Sequence, residues 1–264
     1  MRYGEHPLRP HHASPSVASG WRADELDLKV IKALLFDKDG TLFDFAATWE
    51  AWANAFLTRI SKGDGERAAL LGQQIGFDYG TQRFSPDSIV IAGTPGEVVD
   101  ALAPHVVEMA KTDLLDLLNH EAENAPQAEA VPLVALLEAF KARGLVLGVA
   151  TNDAEAPARA HLGGAGVTGY FDFIAGFDSG HGAKPTPGQL LAFAKAVGVD
   201  PSEVAMIGDS LHDMAAGRAA GMACVAVLTG LATRQDLEGA ADVVLPDIGH
   251  LPAWLDGQRH DPQG

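Results

Sequence analysis

Cysteine is nearly absent from this 264-residue chain, with Cys224 the only one. A lone thiol excludes an intrachain disulfide and fits a reducing compartment. Set in the apolar run "MACVAVL", it reads as a small buried core residue. Long apolar runs are missing too: none reaches the about 18 residues that span a bilayer. Arg2 is followed by no apolar stretch, so the N-terminus lacks the pattern of a secretory signal. Together these absences imply a cytoplasmic, soluble protein. Positive charge is the third shortage. Nineteen Lys+Arg face 35 Asp+Glu, for a net charge of −16. A nucleic-acid-binding surface needs a basic face, and docking on an anionic membrane needs one as well; neither partner is expected. Oligomeric state is not legible.

What is present is a core-forming composition, 47% hydrophobic, arranged in a recurring pattern. Residues 1–28 are set apart by Pro7, Pro10 and Pro15 and by His6, His11 and His12, and read as a loosely ordered extension. "VIKALLF" (30–36) reads as a buried strand. "LVLGVAT" (145–151), "FDFIAG" (171–176), "VAMIGD" (204–209), "ACVAVL" (223–228) and "ADVVL" (241–245) follow as further strands. Helical spacing occupies 133–144, 154–166, 186–198 and 211–221 between them. Strands separated by helices of 10–15 residues indicate βαβ units and a mostly parallel sheet. The fold class is therefore α/β. Residues 45–127 differ, reading as helical throughout with no strand pattern, and are expected to form an inserted helical cap. The core is then 29–44 plus 128–264, with a tail that packs once through Trp254.

In a parallel α/β sheet, ligands gather at the carboxyl ends of the strands. The first strand ends in "FDKDGT", offering Asp37 and Asp39; the second offers Thr151 and Asn152; "GAKPTP" brings Lys184; "VAMIGDS" brings Asp209 and Ser210, with Asp213 one turn later. Each alone has a plain structural reading: Asp as a helix N-cap, Lys as a solvated charge, Thr as a cap. Capping does not explain why all of them fall at one rim. Asp37, Asp39 and Asp209 brought together would repel, and a hard, oxygen-seeking Mg²⁺ resolves that repulsion while leaving room for phosphate oxygens. Asp37 can then attack phosphorus to form an aspartyl-phosphate. Asp39, returned to the same face by period-2 alternation, can protonate the leaving alkoxide and later deprotonate water. Gly40 allows the sharp reversal, and Thr41 can hold the turn or the phosphoryl oxygens.

Four segments in this order, "FDKDGTLFD" (36–44), "VATN" (149–152), "AKPTP" (183–187) and "IGDSLHDM" (207–214), resemble the signature of the haloacid dehalogenase-like superfamily across about residues 30–245. The resemblance implies a Rossmann-like core, Mg²⁺ and a cap inserted after the first motif, as in phosphoglycolate-phosphatase-like members. It implies Asp37 as nucleophile and Asp39 as general acid/base. Thr151, Asn152 and Lys184 fall to phosphate binding, Asp209 to the metal with Asp37 and Asp39, and Ser210 and Asp213 to support. An acid at 39 favours phosphoryl over dehalogenating chemistry, because a halide leaves without a proton.

Lys38 departs from the bulky apolar residue usual between the two acids. On strand alternation it should point away from Asp37 and Asp39, packing its stem and snorkelling its amine. Phe45, Trp49 and Trp52 share a helical face, either as cap core or against a leaving group. Arg83 is either solvated or a partner for an anionic substrate tail. The expected partner is a small phosphate ester, phosphoglycolate being the best single choice. The alternatives are a phosphomutase, a phosphonate-cleaving relative that needs a cap lysine (Lys62 or Lys111), or a catalytically silent binding protein.

Overall fold

The computed structural model describes residues 30–258. The expected N-terminal extension, with His11 and His12, and the last residues of the tail lie outside the described residues. The chain enters at β1 (Ala33–Phe36) and then leaves the sheet. An insertion follows: α1 (Phe45–Ile60), α2 (Gly65–Gln74), β2 (Phe77–Asp78), β3 (Arg83–Phe84), α3 (Pro95–Leu102) and α4 (Lys111–Glu123). It returns as α5 (Leu133–Ala142), β4 (Val146–Ala150), α6 (Glu155–Gly164), β5 (Phe173–Ala175), α7 (Gly188–Val197) and β6 (Val204–Gly208). The chain continues through α8 (Leu211–Ala220), β7 (Ala223–Val227), α9 (Arg234–Leu237), β8 (Val243–Leu245) and α10 (Leu251–Gln258).

Six strands form one sheet in the order β5-β4-β1-β6-β7-β8, every pair parallel. The chain builds outward from β1 on one side, then crosses to build on the other. The carboxyl end of β1 is thus the point where strand order reverses, the usual place for a ligand in such sheets. β1 is uniformly apolar because both its faces are covered. Leu34 and Phe36 pack with Leu137 and Phe140 of α5, while Ala33 and Leu35 pack with Leu190 and Phe193 of α7. The strand is shorter than its apolar run: Val30 is 57% exposed, and pairing starts at Ala33.

The insertion carries its own apolar cluster, centred on Phe45, Trp52, Phe56 and Leu57 of α1, with Leu114 and Leu118 of α4. Trp52 and Phe56 stack with centroids 5.2 Å apart. Asp44 caps α1 by accepting from the Ala47 N–H at 2.7 Å. The insertion is not wholly helical. β2 and β3 form a small antiparallel hairpin, its turn held by Asp78 Oδ1, which accepts from the N–H groups of Gly80 and Thr81. Two-residue strands are too short to show alternation, which is why the sequence pattern missed them. Trp254 is half-buried and packs on the core from α10. Among the described residues no helix is long and apolar enough to cross a membrane.

Because β1 carries the site and is covered on both faces, truncating it should be costly. Leu34→Ala should lower unfolding free energy by about 2–5 kcal/mol, and Leu34→Met by less than about 1.5 kcal/mol, in urea melts.

Candidate active site

The rim is assembled from the ends of β1, β4 and β6 and from the 180s loop. β1 stops at Phe36, and the chain turns at once: the Lys38 carbonyl accepts from the N–H groups of Leu42 and Phe43, and the Gly40 N–H donates to the Phe43 carbonyl at 2.7 Å. Gly40 has φ +78°, and a Cβ there would lie 2.4 Å from Asp209 Oδ2. Only glycine satisfies both conditions. Opposite it, in the loop after β7, a Cβ on Gly230 would fall 1.6 Å from the same oxygen, and Thr229 Oγ1 donates to the Gly40 carbonyl at 2.5 Å. The Asp209 carboxylate thus sits between two glycines in the loops that follow β1 and β7. Gly230 and Thr229 were not singled out from sequence, although both follow directly on a strand end.

Lys184 is the electrostatic centre. Its buried ammonium donates to Asp37 Oδ1 at 2.5 Å, Asp213 Oδ1 at 2.7 Å and the Ala150 carbonyl at 2.8 Å, using all three protons. Burial alone would lower its pKa, but Asp213 and Asp37 more than reverse this, so the ammonium stays charged. Asp213 also closes a capping box at the start of α8. Its Oδ2 accepts from Ser210 Oγ at 2.6 Å and from the Ser210 N–H. Capping and site chemistry coexist in one side chain.

Asp37, Asp209 and Asp213 each place a carboxylate oxygen within 4.8 Å of the others, all three buried. Burial pushes the Asp37 carboxyl up to about 7; Lys184 pulls it down, while Asp213 and Asp39 add to the rise. Asp209 is raised well above the ordinary carboxylate range, by burial first and then by Asp37 and Asp213. One lysine does not neutralise this cluster. Its hard oxygen donors, and the glycine cradle around Asp209, suit a small divalent cation such as Mg²⁺. The Asp39 side chain, expected among the metal ligands, is not in this cluster.

Lys38 differs from its expected place. Alternation does not apply, because the strand has already ended at Phe36. The side chain turns inward, is fully buried, and does not snorkel. Its ammonium pairs with Asp39 Oδ2 at 3.0 Å and Asp153 Oδ2 at 2.9 Å, and donates to His161 Nδ1 at 2.8 Å. It also lies 5.5 Å from the centroid of the Trp49 ring. Burial would lower its pKa, but Asp153 and Asp39 raise it overall. His161 must therefore accept at Nδ1, which leaves Nε2–H to donate to the Ala122 carbonyl of α4 at 2.7 Å. Burial and the adjacent Lys38 charge push the imidazole pKa down to about 4, so the ring is neutral. Asp153 and His161 had no signal of their own in the sequence; they are meaningful only as partners for Lys38.

Asn152 is spent on backbone. Its amide donates to the carbonyls of Ala92 at 2.8 Å and Lys184 at 2.9 Å, and accepts from the Lys184 N–H at 2.9 Å. It fixes the 180s loop and touches the insertion. Thr151 is buried, its Oγ1 accepting from the Asp153 N–H. Thr41 Oγ1 and Asp39 Oδ1 are buried with no hydrogen-bond partner among the described residues.

These residues floor one cavity, roofed by the insertion. Asp37, Asp39, Thr151, Asn152, Lys184, Asp209 and Asp213 line it from below; Phe45, Trp49, Trp52, Ile91, Val98 and Leu118 line it from above. The α1 aromatics thus serve as insertion core and cavity wall together. Arg83 lies elsewhere, paired with Glu50 at 3.0 Å and facing a separate groove beside β2. Lys62 and Lys111 do not reach the cavity, and Lys111 pairs with Asp100, so the phosphonate-cleaving alternative finds no lysine there.

A family model for haloacid dehalogenase-like hydrolases matches residues 31–221. The phosphoglycolate phosphatase of Rhodospirillum rubrum is 38% identical over 122 residues, 46% of this chain, and the match spans only 51% of that relative. The phosphoglycolate phosphatase of Xanthomonas campestris pv. campestris is 31% identical over 231 residues, covering 84% of this chain and 97% of its own. The crystal structure of a predicted phosphoglycolate phosphatase from Haemophilus somnus superposes with a TM-score of 0.64 at 20% identity, covering 86% and 99% of the two chains, a likeness of fold.

Two outcomes follow from the Lys38 cluster. Lys38→Met strands the buried Asp153 carboxylate and the partly buried Asp39 carboxylate, and should cost about 3–5 kcal/mol in denaturant melts. His161 has its pKa lowered from 6.5 to about 4, so between those values the unfolded chain binds the extra proton. Its contribution to stability should be complete above pH 6.5 and lost as pH falls toward 4. The loss should be on the order of 3 kcal/mol, and His161→Gln should flatten it when melts at pH 4.5 and 7 are compared.

Proposed function

The chain belongs to the haloacid dehalogenase-like hydrolases, and from that premise we propose that it hydrolyses a small-molecule phosphomonoester through an aspartyl-phosphate on Asp37, with Mg²⁺ as cofactor. The observation that carries this reading is the pairing of two differently held acids on one cavity floor. Asp37 has one oxygen fixed by Lys184 at 2.5 Å. Asp39 has one oxygen fixed by Lys38 at 3.0 Å, and its other oxygen is buried without a partner. A buried acceptor left unsatisfied costs free energy unless a ligand completes it.

The roles follow from those contacts. With Oδ1 held by Lys184, the Asp37 carboxylate presents Oδ2 to phosphorus; the new P–O bond forms as the ester P–O bond breaks in line. The leaving alkoxide takes its proton from Asp39 Oδ1, the oxygen with no partner of its own. Asp39 then removes a proton from water at the same position, and the hydroxide opens the acyl phosphate. Lys38 fixes the rotation of the Asp39 carboxylate through Oδ2, so that Oδ1 faces the exchange. Lys184, permanently charged, offsets charge on Asp37 and on the phosphoryl oxygens. Thr41 Oγ1, also unpartnered, is available to a phosphoryl oxygen. Asp37, Asp209 and Asp213 would hold the Mg²⁺, which supplies charge neutralisation for the transferring phosphoryl group when bound.

Asp37→Asn should reduce hydrolysis of an aryl phosphate to background with the fold intact by circular dichroism, and Asp39→Asn should lower kcat by roughly 10²–10⁴. Normal turnover by either variant would overturn its assignment. Mg²⁺ should raise Tm, because a cation relieves the raised carboxylate pKa values, and chelator should reverse the rise. Asp209→Asn should abolish that Mg²⁺-induced shift.

A further inference from the structure

The floor of the cavity sees the phosphate; the insertion wall above it sees whatever the phosphate is attached to. We infer that the leaving group is an uncharged, apolar alcohol rather than one bearing a carboxylate. This inference rests on the phosphomonoesterase reading above and specifies its substrate.

The wall carries the argument. Phe45, Trp49, Trp52, Ile91, Val98 and Leu118 present ring and alkyl surface. None of the five Lys and Arg residues of the insertion lines the cavity, and four are committed elsewhere: Arg59 to Glu121, Arg67 to Glu108, Arg83 to Glu50 and Lys111 to Asp100. Most of the polar side chains of the wall are committed as well. Trp52 Nε1 donates to the Leu118 carbonyl at 3.2 Å, the Ala92 carbonyl accepts from Asn152, and Thr94 caps α3 with Glu97. Among the described residues, Trp49 Nε1 is the one side-chain polar atom of the wall buried without a partner. A single neutral N–H does not offset the desolvation of a carboxylate.

The floor adds to the exclusion. Five acids line the cavity, Asp37, Asp39, Asp153, Asp209 and Asp213, against Lys184 and, on the core rim, His212. Lys184 has no proton left to donate, and Lys38 behind Trp49 is saturated by Asp39, Asp153 and His161. A divalent cation accounts for the phosphate, and no charged donor on the insertion wall remains for a second anion; His212, on the core rim, is the other basic side chain that lines the cavity. An apolar group gains by leaving water for the same wall, in proportion to the surface it buries.

The test compares esters of matched shape that differ in charge. Isobutyl phosphate replaces the carboxylate of phosphoglycolate with an isopropyl group of the same branching. The wild-type protein with Mg²⁺ should favour isobutyl phosphate by about tenfold in kcat/KM. Calorimetry with the hydrolysis-resistant pair, 3-methylbutylphosphonate and 2-carboxyethylphosphonate, should show the same order in Kd. Ile91→Lys, which places a cation in the half-buried wall, should move the ratio toward the carboxylate member of each pair. A preference for phosphoglycolate and its phosphonate, or a preference under about threefold either way, overturns the inference while leaving the hydrolase reading intact. Turnover of neither ester counts against the hydrolase reading instead, and the phosphonate binding order still decides the leaving-group question.

Discussion

Positive charge is scarce at the rim of the candidate site, and the structure depends on where it is placed. Lys184 stands between Asp37 and Asp213, and without its ammonium three buried acids would face one another across a few ångströms. The lysine can serve only because the 180s loop is pinned: Asn152 grips the Lys184 backbone from the end of β4, at both its N–H and its carbonyl. Asp213 can serve only because Ser210 fixes its second oxygen. Each charge is held by a neighbour whose own hydrogen bonds are complete, as buried polar networks require.

A second, independent ammonium lies one residue from Asp37. Lys38, Asp39, Asp153 and His161 form a largely buried cluster, and Asp39, its one partly exposed member, belongs to both this cluster and the cavity. The arrangement separates two tasks that a single lysine would confuse. Lys184 holds Asp37, the proposed nucleophile; Lys38 holds Asp39, the proposed proton carrier. Neither competes for the other's oxygen.

Much of this was legible in the sequence, for identifiable reasons. The strands β1, β4, β6 and β7 are covered on both faces, so their apolar runs are unbroken and mark their own carboxyl ends. Asp37, Thr151 and Asp209 could be located as strand-end residues on that basis alone. Lys38 was misplaced because alternation was carried one step past the point where pairing stops; the turn that begins at Asp37 is set by hydrogen bonds to the Lys38 carbonyl, which no periodicity encodes. Asp153 and His161 were missed because they are 115 and 123 positions from Lys38, and pairing across that distance is a property of the sheet order. Gly230 was missed because a residue that matters by having no side chain offers no chemistry to notice.

The insertion meets the core through its main chain at two described points: the Ala92 carbonyl receives Asn152, and the Ala122 carbonyl receives His161. Every amino acid possesses a carbonyl. A roof fastened in this way can have wall residues outside its own buried core, Ile91 among them, rewritten without loosening the joints that seat it. On the proposed reading, the phosphorus chemistry stays on one set of strands while the choice of alcohol is open to revision, and substrate range can diversify without redesign of those two contacts.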